Sequence, residues 1–503
     1  MLLSFLYPPL YASLLALAAL LLLPAHNRFL SLGVQVLSFV SILFSGIYLI
    51  IYQFTGSGID ESVLFHLIYL LDIQLILKHG LPFIVYSLFV FIVLGVVAKI
   101  IKSRRANHGK VTAKRPRLLY AALGPVLVSI SFFSVVAHPV VWDCKNLFVR
   151  YYINESELLE KHIEPLSVKA VAPKSFIYIY AESLERTYFD DELFPGLVPQ
   201  LANLIDQRGM SIEGIKQIPM TNWTIAGMTA SQCGIPLAAF QENRNEFGLV
   251  RDFLPGVDCL GDVLGQNSYR LSYLGGADLS FGGKGTFYKT HGFTDVKGLE
   301  ELREIYGPAI PVSKWGVYDD QLLDHAYHSL TDLNKSKDRY GYVLLTLDTH
   351  SPEGFPSPSC GSTAYQDGNS GLLNAVHCAD STLSEFLMKI LNDPAFSDTV
   401  VVLASDHLAM ANDAGLIAQS ENRENLWVAF NTGVTGVVKR KGTTLDIAPT
   451  FMGLLGYKVE KFGLGVSLNK GVSTPTLLER YGEERLGDMV LSSKVALWEL
   501  WTK

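Results

Sequence analysis

The chain has 503 residues and a formal net charge of −7, from 41 Lys plus Arg against 48 Asp plus Glu. That balance gives no basic footprint for nucleic acid, and no nucleic-acid partner is expected. Mean hydropathy is +0.25 and only 18% of residues are charged. This is too apolar for an ordinary soluble protein, in a chain long enough for two or more domains.

The apolar excess lies before residue 140. Leu2–Leu23, Phe29–Tyr52, Leu81–Ile101 and Leu118–Ala137 are each about the length needed to cross a bilayer, so 1–140 reads as a membrane region of four transmembrane helices. The first stretch has no Lys or Arg ahead of it and a second follows closely, which favours a retained helix over a cleaved signal. Lys99, Lys102, Arg104, Arg105, Lys110, Lys114, Arg115 and Arg117 surround the loop between the third and fourth stretches. The positive-inside rule sets that loop in the cytoplasm, and the N-terminus and everything after Ala137 outside. Ser57–His79 reads as an amphipathic helix in the outer interface.

Residues 141–171 read as a linker and 172–470 as an α/β domain, with a helical tail over 471–503. Phe176–Ala181 is β-branched and aromatic without a charge, a fully buried strand that ends at Glu182. Tyr342–Leu347 runs into Asp348-Thr349-His350, and Thr399–Ala404 into Ser405-Asp406-His407. Ser211–Ile218 is a weaker strand ahead of Thr224. Short apolar runs of this kind suit a parallel sheet covered on both faces. Ligands in such sheets bind beyond the carboxyl ends of the strands, so Glu182, Thr224, His350, Asp406 and His407 are expected to converge. Leu197–Arg208, Leu372–Leu391 and Leu445–Leu455 are helical candidates. Of five cysteines, an even subset should pair in an exported domain, and local pairs Cys233–Cys259 and Cys360–Cys378 would leave Cys144 over. Spacing leaves connectivity open.

Glu182, Asp406 and His407 offer oxygen and imidazole ligands that suit Mn²⁺ or Zn²⁺, with Mg²⁺ also admissible. A capping Asp beside a hydrogen-bonded His is the ordinary alternative. Thr224 opens a small-residue run that can start a helix, where backbone amides suit a phosphate and a metal could activate the hydroxyl. A plain N-cap is the commoner role for Thr. His350, and Lys284 in the glycine-rich Phe281–Gly285, could offset phosphate charge, against the bland readings of a strand-end histidine and a solvated turn lysine.

Residues 181–190, 224–237 and 405–410 together resemble the phosphoglycerol transferase family of the alkaline-phosphatase/sulfatase superfamily, enzymes that modify periplasmic glucans in Gram-negative bacteria. The resemblance implies a phosphatase-like α/β fold and a covalent phosphoglyceryl-threonine intermediate. Glu182, Asp406 and His407 match the family's metal ligands, and Thr224 its nucleophile, which also touches the metal; Mn²⁺ is the expected ion. His350 matches a substrate-phosphate histidine of related lipoteichoic acid synthases, in which a Trp and an Arg also bind the glycerophosphate. Here Gly282 falls where that Trp would stand and Lys284 replaces the Arg, which favours the glucan-modifying branch. The resemblance also implies phosphatidylglycerol as donor, a periplasmic glucan as acceptor, and an inner-membrane protein with its catalytic domain in the periplasm. A phosphoethanolamine transferase built on the same core, and a catalytically silent scaffold for glucan or lipid, are the alternatives. A sulfatase activity is disfavoured, because no Cys or Ser followed by x-Pro-x-Arg stands at the nucleophile.

Overall fold

The computed structural model describes residues 28–55, 59, 99, 117–152, 169–238, 251–336, 338–410, 412–414, 420 and 422–501. The chain divides into two units, 1–149 and 150–503.

In the first unit three helices are described: α1 (Arg28–Thr55), α2 (Arg117–Val136) and α3 (Pro139–Tyr152). The first two cover the expected stretches Phe29–Tyr52 and Leu118–Ala137. The other two stretches, Leu2–Leu23 and most of Leu81–Ile101, and the interfacial helix expected over 57–79 lie outside the described residues. Among the described residues no single helix is long and apolar enough to cross a membrane, whereas the bent pair Pro125–Val136 and Pro139–Lys145, broken by 50°, passes that test. The helices α1 and α2 meet along a buried polar seam. Ser38 Oγ lies 3.5 Å from Ser131 Oγ, the Ser41 hydroxyl donates to the Ser134 carbonyl at 3.4 Å, and Ser45 Oγ is 3.0 Å from His138 Nε2. Small side chains spaced by three and four residues let two apolar helices approach closely, and hydroxyls bonded across the seam satisfy one another.

The second unit is built on an eight-stranded sheet. Its strands are numbered with a two-residue β1 (Lys169–Ala170) that lies outside that sheet: β2 (Phe176–Ala181), β3 (Met210–Lys216), β4 (Arg270–Gly275), β5 (Asp295–Lys297), β6 (Tyr340–Leu345), β7 (Val400–Ser405), β8 (Trp427–Phe430) and β9 (Gly436–Thr443). The order is β5-β4-β6-β2-β7-β8-β3-β9. Strands β5 to β7 of that order are parallel throughout, as is the β3–β9 pair. The expected all-parallel sheet needs one correction, because β8 is antiparallel to both β7 and β3. The chain leaves β7 at the carboxyl edge and re-enters β8 at the same edge. It therefore runs back without the crossover that a parallel neighbour requires.

The helices are α4 (Pro199–Arg208), α5 (Thr224–Cys233), α6 (Leu260–Gln266), α7 (Lys284–Thr290), α8 (Leu299–Tyr306), α9 (Asp319–Lys335), α10 (Gly371–Asn392), α11 (Ile447–Leu454), α12 (Leu477–Tyr481), α13 (Glu483–Ser492) and α14 (Lys494–Glu499). All six residues of β2 are buried. The two-residue period of a strand sends Ile177 and Ile179 into a core with Leu201 of α4, Leu322 of α9 and Leu387 of α10. Phe176 and Tyr178 point the other way, each edge-on to Phe451 of α11. Burial on both faces explains why this run carries no polar alternation. The tail is three short helices, and its Trp501 indole donates to the Ala238 carbonyl at 3.1 Å and packs 4.6 Å from Phe253. Both cysteine pairs form: Cys233–Cys259 ties the end of α5 to the start of α6, and Cys360–Cys378 ties a loop to α10. Cys144 is free and exposed.

Candidate active site

The site lies along the carboxyl edge of the sheet. Glu182 follows β2, Asp406 and His407 follow β7, and all three are buried. Their backbone is tightly held. The Glu182 amide donates to Thr346 Oγ1 at 3.1 Å, and Thr349 Oγ1 donates to the Glu182 carbonyl at 2.5 Å. Ser183 sits at a φ of +54, a left-handed conformation that is uncommon and costly away from glycine. From there its amide donates to Asp406 Oδ1 at 2.8 Å and its hydroxyl to Glu182 Oε1 at 2.9 Å. The strained residue thus joins the two strand ends.

The helix α5 delivers Thr224 as its first residue, and the Thr224 hydroxyl lies 3.3 Å from Glu182 Oε2. A close approach makes this possible. A Cβ on Gly227 would fall 1.9 Å from the Asp406 carbonyl oxygen, so only glycine admits the helix at that depth.

His407 Nε2 is 3.2 Å from Glu182 Oε1 and 3.3 Å from Asp406 Oδ2. Its Nδ1 is 2.7 Å from the Leu408 carbonyl, an acceptor only, so Nδ1 carries a proton, and in the neutral ring Nε2 turns its lone pair towards two carboxylates. Asp406 Oδ2 and His407 Nε2 are buried without a hydrogen-bond partner among the described residues. Either a proton on His407 Nε2 or a cation between these groups relieves the repulsion. Their ligand atoms all lie within 4.8 Å of one another. The donor set therefore fits a divalent metal ion of the kind bound by mixed carboxylate and imidazole sites.

The electrostatics make the same demand. Burial lowers the His407 imidazole, but Asp406 and Glu182 outweigh it and push it up to about 9. Burial, then Glu182, pushes Asp406 up to about 7. Burial opposes ionisation of Glu182, yet His350 and His407 hold it well below the usual carboxylate range. The cluster is short of positive charge, which a proton or a metal ion supplies.

Of the remaining residues, Lys284 begins α7 and is buried, with Nζ 4.7 Å from the centre of the Phe281 ring. It is not the solvated turn lysine that its glycine-rich surroundings suggest. Burial pushes it down to about 8, against the opposing pull of Glu182 and Asp406. Gly282 and Gly283 adopt φ of +68 and +67, and a Cβ on Gly282 would lie 3.7 Å from Lys284 Nζ and 3.8 Å from Ile225. A left-handed pair of this kind is glycine's conformation, so a larger side chain at either position would be strained. His350 Nδ1 lies 2.6 Å from the Ser351 carbonyl, and its ring centroid is 3.9 Å from that of Trp315. Burial lowers its imidazole, and Glu182 acts in the opposite direction.

The structure thus brings Glu182, Thr224, Asp406 and His407 together by direct contacts, with His350 and Lys284 coupled electrostatically to Glu182. Sequence reasoning passed over Trp315 and Ser183. It also passed over the buried Glu185, which accepts from Arg423 Nε at 2.9 Å and from the Ala409 amide at 2.8 Å and so braces the loop after His407. Trp315 gives no local signal, whereas a second acid three residues after Glu182 is visible in the sequence.

The family model described as Sulfatase matches residues 174–457. The chain belongs to the sulfatase family. The model described as Phosphoglycerol transferase I, N-terminal domain, matches residues 2–158. The chain is 34% identical to a phosphoglycerol transferase I of Xanthomonas campestris pv. campestris over 92% of this chain and 65% of that protein. It is 37% identical to one of Escherichia coli O127:H6 over 86% of this chain and 56% of that protein. The chain thus spans a little over half to about two thirds of the length of these curated relatives. A crystal structure of a protein in the alkaline phosphatase superfamily from Vibrio parahaemolyticus shares the fold, with a TM-score of 0.54 at 17% identity over 71% of this chain and 95% of that one.

Proposed function

We propose that this protein transfers phosphoglycerol from phosphatidylglycerol to a periplasmic glucan through a covalent phosphoglyceryl-Thr224 intermediate. The observation that carries the reading is the Thr224 hydroxyl, 3.3 Å from Glu182 in a buried acid–imidazole cluster where Asp406 Oδ2 and His407 Nε2 lack hydrogen-bond partners among the described residues. The relatives named phosphoglycerol transferase I support the transferred group.

Glu182, Asp406 and His407, with Thr224 as the fourth ligand, would hold one divalent ion, Mn²⁺ in this reading. When bound, the ion supplies positive charge that lowers the pKa of the threonine hydroxyl. Thr224 Oγ then attacks phosphorus, the bond to the diacylglycerol oxygen breaks, and that oxygen leaves with a proton. A glucan hydroxyl next attacks the phosphothreonine, gives up its proton, and departs with the glycerophosphate, restoring the threonine. His350 and Lys284 offset charge on the transferred group in both steps, and His350 Nε2, the nitrogen not engaged with Ser351, would carry the proton. The donor's acyl chains stay in the bilayer throughout, which is the physical sense of joining this domain to a four-helix membrane region with the domain on the periplasmic side. Two disulfides support an oxidising compartment.

The test is mass spectrometry of the protein incubated with phosphatidylglycerol. An increment of one phosphoglyceryl group on the Thr224 peptide is expected, and its absence from Thr224→Ala together with loss of diacylglycerol release. An unmodified Thr224 during turnover overturns the mechanism, and a phosphoethanolamine increment from a mixed-lipid incubation overturns the donor. Chelation should abolish release and Mn²⁺ should restore it.

A further inference from the structure

An indole meets His350, the histidine assigned above to the transferred phosphate, and it comes from the loop before α9. The Trp315 ring lies over the His350 ring with centroids 3.9 Å apart and planes inclined by 31°. The Phe281 ring is 6.4 Å from the same indole.

Trp315 is fixed from both sides. Its amide donates to Ser313 Oγ at 3.2 Å, and the Ser313 amide donates to the Gly316 carbonyl at 2.7 Å. Val312 and Val317 bridge antiparallel across this turn. The Val317 amide donates to the Gly276 carbonyl at 3.0 Å, pinning the turn just beyond the end of β4. At Gly316 a Cβ would fall 2.2 Å from that carbonyl. Three residues beyond Gly316, Asp319 accepts from the amides of Leu347 at 2.7 Å and Asp348 at 3.0 Å. The segment carrying the indole and the loop carrying His350 are therefore cross-braced.

The indole Nε1 is buried without a hydrogen-bond partner among the described residues. A tryptophan kept for structure alone ordinarily satisfies that donor, and phenylalanine would fill the space without leaving one unmatched. The indole applies a face to His350, and Lys314 Nζ also lies 5.6 Å from the ring centre.

We propose that Trp315 is a positioning residue for His350, holding the imidazole by ring-on-ring contact so that Nε2 is directed at the transferred phosphate. The Ser351 carbonyl engages Nδ1 and fixes the rotation of the ring in its own plane, while the indole fixes the plane. The role assigned to His350 rests on the transfer reading above; the contact itself does not.

The test is a double-mutant cycle on the full chain in lipid–detergent micelles, following diacylglycerol release. Trp315→Leu should lower kcat about 10- to 100-fold, the scale of a misaligned catalytic group, with little change in KM. In a His350→Ala background the same substitution should cost nothing further. Trp315→Phe, which keeps a ring and removes the unmatched donor, should retain most of the rate and melt no lower than wild type. Equal losses from Trp315→Leu in both backgrounds, or a Trp315→Phe variant as slow as Trp315→Leu, overturn the proposal. A second readout is independent of turnover. The His350 ring-proton resonances, identified by their loss in His350→Ala, should lie upfield under the indole ring current and move downfield in Trp315→Phe and Trp315→Leu. Unmoved resonances overturn the contact. Shifted resonances in a protein that releases no diacylglycerol uphold the contact and overturn only the transfer reading.

Discussion

A lysine buried beside carboxylates has a charge that depends on which influence wins. For Lys284 burial is the largest, and it brings the ammonium down to about 8 from an ordinary value of 10.5. The charge that offsets phosphate is therefore present below about pH 8 and lost above it. Turnover should fall on the alkaline side with an inflection near 8. Lys284→Gln should lack that inflection and run about 10²-fold slower, the usual cost of removing one charge-stabilising donor. Stability carries the opposite sign. The folded protein releases this proton before the unfolded chain does, so the lysine's contribution to stability rises between about pH 8 and 10.5. A pH–rate profile beside a thermal-unfolding series separates the two effects.

Two elements hold the reactive residues in register, each through one narrow contact. The first is α5 against the end of β7, where Gly227 meets the Asp406 carbonyl. Gly227→Ala should drive the helix outwards and carry Thr224 away from Glu182. We expect weakened metal binding and a rate loss of about 10²-fold or more, read by titrating Mn²⁺ into the chelated protein. The second is the start of α9 against the loop after β6, where two buried carboxyl groups lie together. Asp348 Oδ2 accepts from the Asp319 amide at 3.2 Å, and its other oxygen has no partner among the described residues. Burial, then Asp319, pushes Asp348 up to about 9, and burial pushes Asp319 up to about 7. These groups keep protons in the folded state that the unfolded chain loses near 3.8. The contribution of this pair to stability should therefore decline as pH rises from about 4 to about 9 and level off beyond. Asp348→Asn should flatten the upper part of that decline, checked by melting temperature against pH. An unchanged slope would show that the pair does not hold these protons.

At the scale of the whole molecule, the apolar stretches and the disulfides both bear on the proposed topology. Apolar stretches of about twenty residues suit a bilayer, and paired cysteines suit an oxidising compartment. The proposed topology puts the exposed Cys144 of α3 on the periplasmic side with the catalytic unit. A membrane-impermeant maleimide should label Cys144 in cells with a permeabilised outer membrane, without lysis of the inner one. Labelling only after lysis would invert the topology.

Much of this was written locally. Phe176–Ala181 announces a buried strand because every residue in it is apolar or aromatic, and β2 has those bounds. The stretches 29–52 and 118–137 announce helices by composition, and the runs ending near His350 and Asp406 announce strand ends. The places of Glu182, Asp406 and His407 were legible because each follows such a strand, and that of Thr224 because it opens a small-residue run. Other features depend on what lies across the fold. The reversed β8 turns on where a loop re-enters the sheet. The burial of Lys284 turns on which residues cover a glycine-rich turn, and Gly227 is decided by a carbonyl 179 positions away. The indole of Trp315 is set against His350 by a brace between two loops. Sequence pattern records a residue's preference for water or for its neighbours along the chain. Only the tertiary fold determines which distant atom comes within 4 Å of it.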